Sequence, residues 1–265
     1  MRGEMILAGA AFAALAGPAA ADDKSPICPD RPGKATSACT VPQDHWQIET
    51  GLADWSLQKS DGERDTSLVL GETTIKYGLT DSSDVEIDVT PFERSTSSVG
   101  SVHESASGFG DINLIFKQRL TKSDGPIQII AMPFLKVPTA DHLLGNGKLE
   151  GGLRFPVGYQ IPKTPLSLGL TPEFDWAANS DGTGHHLAME QVATLGFAAT
   201  DKLNISAEIW GAWDWDPTGT TREASADGSV AYLLTNDVQL DAGANFGLNK
   251  ATPNAEFYAG VSVRF

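Results

Sequence analysis

The sequence predicts an all-β fold, an antiparallel transmembrane β-barrel of about 12 strands that follows a signal peptide and a short N-terminal segment. Apolar and polar residues alternate with period two from Trp46 to Phe265, which is the pattern of β-strands. No apolar stripe with the helical period of 3.6 residues interrupts this alternation. Short polar connections such as "TDSSD" and "PKTP" alternate with longer ones such as "TADHLLGNGK", as periplasmic turns and external loops do in such barrels.

The first 21 residues have the features of a secretory signal peptide. Arg2 precedes the apolar run "ILAGAAFAALAG", and Ala19-Ala20-Ala21 supplies small residues for cleavage before Asp22. The apolar run is too short to cross a hydrocarbon core of about 30 Å as a helix, which disfavours a membrane anchor. The chain is therefore expected to be exported to the outer membrane, with residues 1–21 removed.

Residues 22–43 contain both cysteines and are expected to form a short periplasmic segment before the barrel, which spans residues 44–265. Cys28 and Cys39 flank "PDRPGKATSA", a stretch that favours an irregular conformation. In an oxidising compartment the two cysteines are expected to close a small disulfide loop. A redox or metal-binding pair is disfavoured because CxxC spacing is absent.

The formal net charge of −15 argues against a nucleic-acid partner, because neutralising phosphates requires clustered Lys and Arg. The sequence also lacks a polybasic segment that would hold the protein on an anionic membrane surface. After the signal peptide no run of 18 apolar residues occurs, which excludes helical membrane spans.

The twelve predicted strands follow from the alternation. They cover residues 46–53, 67–79, 85–90, 111–120, 127–137, 150–161, 166–176, 187–199, 203–215, 224–232, 238–248 and 255–265. The longer connections are predicted to be external loops, at residues 94–108, 139–148, 179–186, 216–221 and 249–254.

Alternation alone fits a soluble sandwich as well as a membrane barrel, because only the medium on the apolar side differs. The strand repeats are longer than the roughly 8–12 residues typical of small sandwiches, and the strands are long enough to cross a membrane when tilted. Aromatic residues are also concentrated near the predicted strand ends, as at membrane interfaces. They are Trp46 and Phe265 on the turn side, and Trp176, Trp213 and Trp215 on the loop side. The sequence therefore favours a barrel in outer-membrane lipid.

The chain ends "AEFYAGVSVRF", an alternating strand with a terminal aromatic residue. A closed barrel requires its last strand to pair with its first, because unpaired backbone groups in lipid are costly. Phe265 also resembles the C-terminal signal by which the barrel-assembly machinery recognises its substrates. We therefore expect that machinery to be a partner of the last strand.

Two segments carry a family resemblance. They are "GFGDINLIFKQRL" (108–120) and "AMPFLKVPTA" (131–140), and the family positions they match are Gly108, Gly110, Asp111, Lys117, Arg119, Leu120, Pro138 and Thr139. Residues 44–265 resemble a family of bacterial outer-membrane transporters labelled with the meta-pathway of phenol degradation, although Ala140 stands where that family usually has Gly. The resemblance implies an outer-membrane barrel, transport of small molecules, and hydrophobic or aromatic compounds as solutes.

The polar side of the strands predicts a charged lumen. The candidate lumen-lining residues are Asp111, Lys117, Arg119, Lys136, Glu150, Arg154, Glu173, Asp175, Glu208 and Asp241. Charges of both signs indicate either a water-filled path or a network of ion pairs across the barrel. Carboxylates outnumber cations, so an open lumen would favour cations or neutral solutes over anions.

Two other functions compete with a porin-like channel. A lipid-modifying barrel enzyme would need an activated nucleophile, and Ser107 or Ser180 could lie near loop histidines. No G-x-S-x-G element supports this, so no enzymatic activity and no catalytic residue are predicted. A structural or surface-recognition barrel remains open. His185 and His186 on an extended chain point in opposite directions, so no metal site or other cofactor is predicted.

Overall fold

The protein is described here by a computed structural model that covers residues 25–265. The predicted signal peptide (1–21) and its cleavage before Asp22 lie outside the described residues. Within residues 25–265, no helix is long and apolar enough to span a bilayer.

The described part of the chain forms sixteen β-segments, all joined in one antiparallel sheet. The first eight are β1 (Trp46–Ser60), β2 (Glu63–Leu70), β3 (Glu72–Thr80), β4 (Ser83–Val89), β5 (Phe92–Val99), β6 (Val102–Gly108), β7 (Ile112–Arg119) and β8 (Ile127–Val137). The remaining eight are β9 (Glu150–Arg154), β10 (Val157–Gln160), β11 (Leu166–Ala178), β12 (His185–Ala198), β13 (Leu203–Asp216), β14 (Gly219–Thr235), β15 (Val238–Gly247) and β16 (Ala255–Arg264).

These segments form a closed barrel of twelve strands, because four barrel strands are each interrupted once. The interrupted strands are β2–β3, β4–β5, β6–β7 and β9–β10. Gly71 has a positive φ of 72° at the first break, and Pro91 and Pro156 lie at two others. Proline cannot donate a ladder hydrogen bond, and glycine adopts positive φ easily, so these residues suit breaks in a strand.

The last strand closes the barrel on the first, as the sequence predicts. β16 pairs with β1 in the antiparallel sense, with Ile48 opposite Val263. The amide N–H of Phe265 donates to the carbonyl oxygen of Trp46 at 2.8 Å, and Trp46 N–H donates to Phe265 at 3.2 Å. This pairing satisfies backbone groups that would otherwise face lipid unpaired.

The external segments differ from the prediction. The prediction that residues 94–108 form a loop is wrong. They form most of the hairpin β5–β6. The hairpin β13–β14 likewise extends through residues 216–221, leaving two residues in its turn. Beyond the membrane neither strand face has to be apolar, so hydrophobic alternation disappears although the backbone ladder continues.

The apolar face of the barrel is the exposed one, as a lipid-facing surface requires. Trp46 is 51% exposed and Trp176 52%, whereas Lys76 and Lys117 are each 1% exposed. The predicted fold class of a transmembrane barrel is therefore confirmed. The ends of the barrel are called the turn end, where both Trp46 and Phe265 lie, and the loop end.

Candidate functional site: a plugged lumen

Residues 25–43, here called the plug, lie inside the barrel. Near one end of the plug, Ile27 N–H donates to the carbonyl oxygen of Asn236 at 2.6 Å; near the other, Val41 N–H donates to Asp84 Oδ2 at 2.8 Å. Between these contacts the segment rises into the lumen and returns, and a disulfide joins Cys28 to Cys39 with a Cα–Cα distance of 6.5 Å. The predicted N-terminal segment thus lies in the lumen, where its charged residues pair with charges on the barrel wall.

A buried group of charges fixes the plug to β1, β3, β4 and β7. It is called the latch and consists of Asp30, Glu49, Lys76, Glu86 and Lys117. Lys117 Nζ lies 2.7 Å from Asp30 Oδ1. Lys76 Nζ contacts Asp30 directly and lies 2.6 Å from Glu49 Oε1 and 3.5 Å from Glu86 Oε1. The four wall residues are at most 2% exposed, so each charge depends on these partners for compensation.

Backbone hydrogen bonds strengthen the latch. The amide N–H groups of Asp30 and Arg31 both donate to Glu49 Oε2, at 2.9 and 3.1 Å. Asp30 Oδ1 in turn accepts hydrogen bonds from Ser37, at 3.0 Å from its backbone N–H and 2.6 Å from its hydroxyl. Asp30 therefore joins both parts of the plug, the one that enters the lumen and the one that leaves it, to the barrel wall.

The upper part of the plug contacts the opposite wall. Arg31 Nη2 lies 3.0 Å from Asp241 Oδ1 on β15, and Lys34 N–H donates to Glu208 Oε2 on β13 at 2.9 Å. The Lys34 ammonium lies 3.5 Å from Glu256 Oε2 and 4.8 Å from the centre of the Trp210 ring. The plug thus makes ionic contacts on both sides of the lumen.

A polar cavity of about 370 Å³ lies against the plug. Its carboxylates are Asp30, Glu49, Glu72, Asp88, Glu173 and Glu190, and its cations are Arg31, Lys34 and Arg154. Two of the three cations belong to the plug. The barrel wall of this cavity therefore carries five carboxylates and a single cation.

The predicted lumen residues fall into three groups. Lys117, Glu208 and Asp241 contact the plug, as described above. Lys136 joins Asp111 at 2.9 Å and Glu150 at 2.6 Å, and Arg154 pairs with Glu173, with Asp175 nearby on the same strand. Arg119 instead bonds the carbonyl oxygen of Asp81 at the turn end, away from the cavity.

Sequence reasoning missed three of the four wall residues of the latch. Glu49, Lys76 and Glu86 lie on polar faces of predicted strands, so their alternation could have indicated them. Trp210 also faces the lumen, two positions after Glu208, and its Nε1–H donates to Glu190 Oε2 at 3.0 Å. Trp210 lies on the same face of the strand as Glu208, but an aromatic residue does not stand out as a lumen residue in an alternation of polar and apolar positions.

The histidines do not form a catalytic arrangement with Ser107 or Ser180 in the described residues. Ser180 Oγ bonds Asp216 and Thr218, and the closest serine–histidine pair is Ser98 Oγ with His103 Nδ1, at 2.8 Å. Ser98 and His103 occupy a strand face without carboxylates. Within residues 25–265, no group of three His, Cys, Asp or Glu side chains could hold a metal ion.

Moderate acidification should leave the plug in place. Burial raises the pKa of Asp30, but the ammonium groups of Lys117 and Lys76 outweigh it and hold the pKa well below its ordinary range. A carboxylate whose pKa is lower in the folded than in the unfolded protein stabilises the folded state. This stabilisation is complete above the unfolded-state pKa of about 3.9, and it is lost only as the pH falls through the lower, folded-state pKa. Amide hydrogen exchange of residues 27–41, corrected for the intrinsic effect of pH, should show equal protection at pH 7 and 5. A loss of protection between these pH values would contradict this assignment.

The fold and the lumen together define an outer-membrane β-barrel that holds a segment of its own chain. The chain belongs to the family described as "Putative MetA-pathway of phenol degradation", whose model matches residues 29–265. No curated protein matches the sequence.

Solved structures with low sequence identity show the same fold. The COG4313 outer membrane channel from Pseudomonas putida F1 is 15% identical, with a TM-score of 0.73, covering 89% of this chain and 99% of that one. The translocator domain of the autotransporter NalP from Neisseria meningitidis is 14% identical, with a TM-score of 0.54 and coverages of 85% and 90%. The NanC porin is 10% identical, with a TM-score of 0.52 and coverages of 82% and 98%.

Proposed function

We propose that the protein is an outer-membrane channel for small molecules and that the plug closes it. The observation that carries this proposal is the plug itself, which bonds to opposite walls of a polar lumen and borders a cavity of about 370 Å³. Twelve strands enclose a wider interior than eight, whose side chains can fill the barrel. A polar lumen of this kind suits passage of solute through the barrel.

The charge of the wall supports cations or neutral molecules as solutes. Withdrawal of the plug removes Arg31 and Lys34 from the cavity and leaves Arg154 as the cation of its wall, opposite five carboxylates. Rings and clusters of carboxylates favour cations in pores. The family description associates these proteins with phenol degradation, which supports small aromatic compounds as neutral solutes.

The ion preference is tested by the reversal potential in a planar bilayer under a KCl gradient. We expect a chain that begins at Asp44 to prefer K⁺ over Cl⁻ severalfold. The double variant Glu72→Gln/Asp88→Asn should reduce this preference, because it removes two wall carboxylates. Asp124→Asn, in an exposed turn, is the matched control and should leave the preference unchanged. A preference for Cl⁻ in the truncated chain would contradict the proposal.

We infer no enzymatic activity. Ser98 and His103 form the serine–histidine pair that comes closest to a catalytic dyad, but a third group that would orient the histidine is absent from their strand face. The fold neighbours are channels, porins and translocators, which supports transport over catalysis. A structural or recognition role predicts a folded barrel that stays silent even after the plug is removed.

We further propose that residues 1–21 direct export and are removed, and that the barrel-assembly machinery recognises the last strand through Phe265. The 46% exposure of Phe265 beside Trp46 at the turn end supports an accessible signal. Outer-membrane lipid is the surrounding partner, and the charge of −15 gives no support for nucleic acid.

A further inference from the structure

The barrel wall continues at the loop end as a four-stranded sheet. This loop-end sheet consists of residues 54–60 of β1 with β2, β5 and β6, in that order. One level of the ladder places Lys59, Arg64, Ser98 and His103 directly opposite one another in neighbouring strands. Alternate residues of such strands face opposite sides, so these four side chains share one face.

Charge is sorted between the two faces of the loop-end sheet. The face that continues the lipid-facing surface carries the basic residues Lys59, Arg64, Arg94 and His103. The face toward the barrel axis carries the acidic residues Glu63, Asp65, Glu93 and Glu104. This segregation leaves a basic outer face on a protein whose net charge is −15.

The outer face has a groove of about 500 Å³. Arg64, Thr66, Thr96, Ser98 and His103 line it between the turns at Gly62 and Gly100. Within residues 25–265, the side chains of Arg64, Arg94 and Lys59 have no recorded ion pair or hydrogen bond. The groove therefore combines hydroxyl groups with the exposed guanidinium of Arg64, and the exposed Arg94 lies beyond it on the same face.

The apolar residues next to the groove lie on the same face, at the adjoining level of the barrel. Trp55 is opposite Leu68, and Leu68 is opposite Arg94. A ligand bound here would meet Lys59, Arg64 and His103 at one end. At the other end it would meet the apolar Trp55 and Leu68, with Arg94 beside them. That sequence of environments matches a lipid with an anionic headgroup rather than a free anion.

We propose that this outer face binds the phosphorylated sugar headgroup of a glycolipid in the outer leaflet. Longer loops of outer-membrane barrels face the cell exterior, which places the groove at headgroup level. Guanidinium groups bind phosphate through paired, charge-assisted hydrogen bonds, so Arg64 and Arg94 hold the phosphates. The hydroxyl groups of Thr66, Thr96 and Ser98 meet the sugar, and the acyl chains lie along Trp55 and Leu68.

The test is a titration of refolded full-length mature protein in detergent, followed by native mass spectrometry. The probes are lipid A, the same glycolipid without phosphates, and inorganic phosphate as a competitor. We expect lipid A to bind at least about tenfold more tightly than its dephosphorylated form, because charge-assisted bonds are lost. Excess inorganic phosphate should displace it only weakly, because it lacks the apolar contacts.

Variants localise the binding. Arg64→Gln/Arg94→Gln should weaken lipid A binding about tenfold or more, whereas Glu63→Gln/Glu93→Gln, on the opposite face of the same strands, should not weaken it. Heat-modifiable migration in gels checks that each variant is folded. Equal binding of the dephosphorylated lipid, unchanged binding by the arginine variant, or complete displacement by phosphate at equal concentration would overturn the proposal. The readout does not depend on conductance, so failure here is distinct from failure of the channel proposal.

Discussion

Asp30→Asn should release the plug from the lumen. The amide cannot compensate both ammonium groups, and Lys117 would then depend on Glu86, whose Oε1 is 3.9 Å from Lys117 Nζ. Removing one partner of a buried ion pair costs about 3–5 kcal/mol, which changes the ratio of bound to released plug by roughly 10²- to 4 × 10³-fold. Trypsin cleavage after Lys34 should accelerate accordingly, because proteolysis follows the population of the released form.

Asp124→Asn is the matched control for this variant. It makes the same chemical change in an exposed turn and should leave the cleavage rate after Lys34 within a factor of two. The intact disulfide keeps the cleaved fragments together, so cleavage is scored by mass after reduction. If Asp30→Asn were cleaved as slowly as the native chain, the latch would not hold the plug.

Gly78→Ala should destabilise the protein at the place where the chain leaves the plug and enters β1. At this position Gly78 exchanges backbone hydrogen bonds with Asp44 and His45. A Cβ on Gly78 would overlap the carbonyl oxygen of Pro42 and lie 2.7 Å from that of Val41. Because backbone must move to relieve the overlap, we expect a loss of about 3 kcal/mol or more, measured as a lower midpoint of urea unfolding.

Gly228→Ala provides the comparison for Gly78→Ala. Gly228 lies in β14, where a Cβ would meet its nearest neighbour, the Ser206 carbonyl oxygen, at 3.9 Å, an ordinary contact. Its unfolding midpoint should stay within the small range typical of tolerated surface substitutions. Similar midpoints for the two variants would show that the plug does not pass closely over β3.

Much of the barrel was predictable because lipid and lumen impose opposite requirements on alternate residues. The alternation located the terminal strand and its closure on β1, and it put Glu208 and Asp241 on the polar face. The alternation of apolar and polar residues is unclear in β8, where Ile130 and Met132 lie on the inner side and are only 0% and 2% exposed. Those apolar residues pack inside the barrel, so the polar-inside rule does not describe them.

The plug was not predictable from periodicity. Residues 25–43 have no regular pattern, and their place depends on Asp30, Arg31 and Lys34 meeting charges from distant strands. Such complementarity is a tertiary property, because Asp30 and Lys117 are 87 residues apart in sequence. The same holds for the loop-end sheet, whose faces differ in charge rather than in hydrophobicity.

The most direct test of the plugged channel compares single-channel conductance of the mature chain with that of a chain beginning at Asp44. Both are refolded and inserted into planar bilayers, and heat-modifiable migration confirms that each barrel is folded. The structure predicts rare or small openings for the mature chain and a steady, much larger conductance for the truncated one. Equal conductance of the two chains, or two silent barrels, would contradict it.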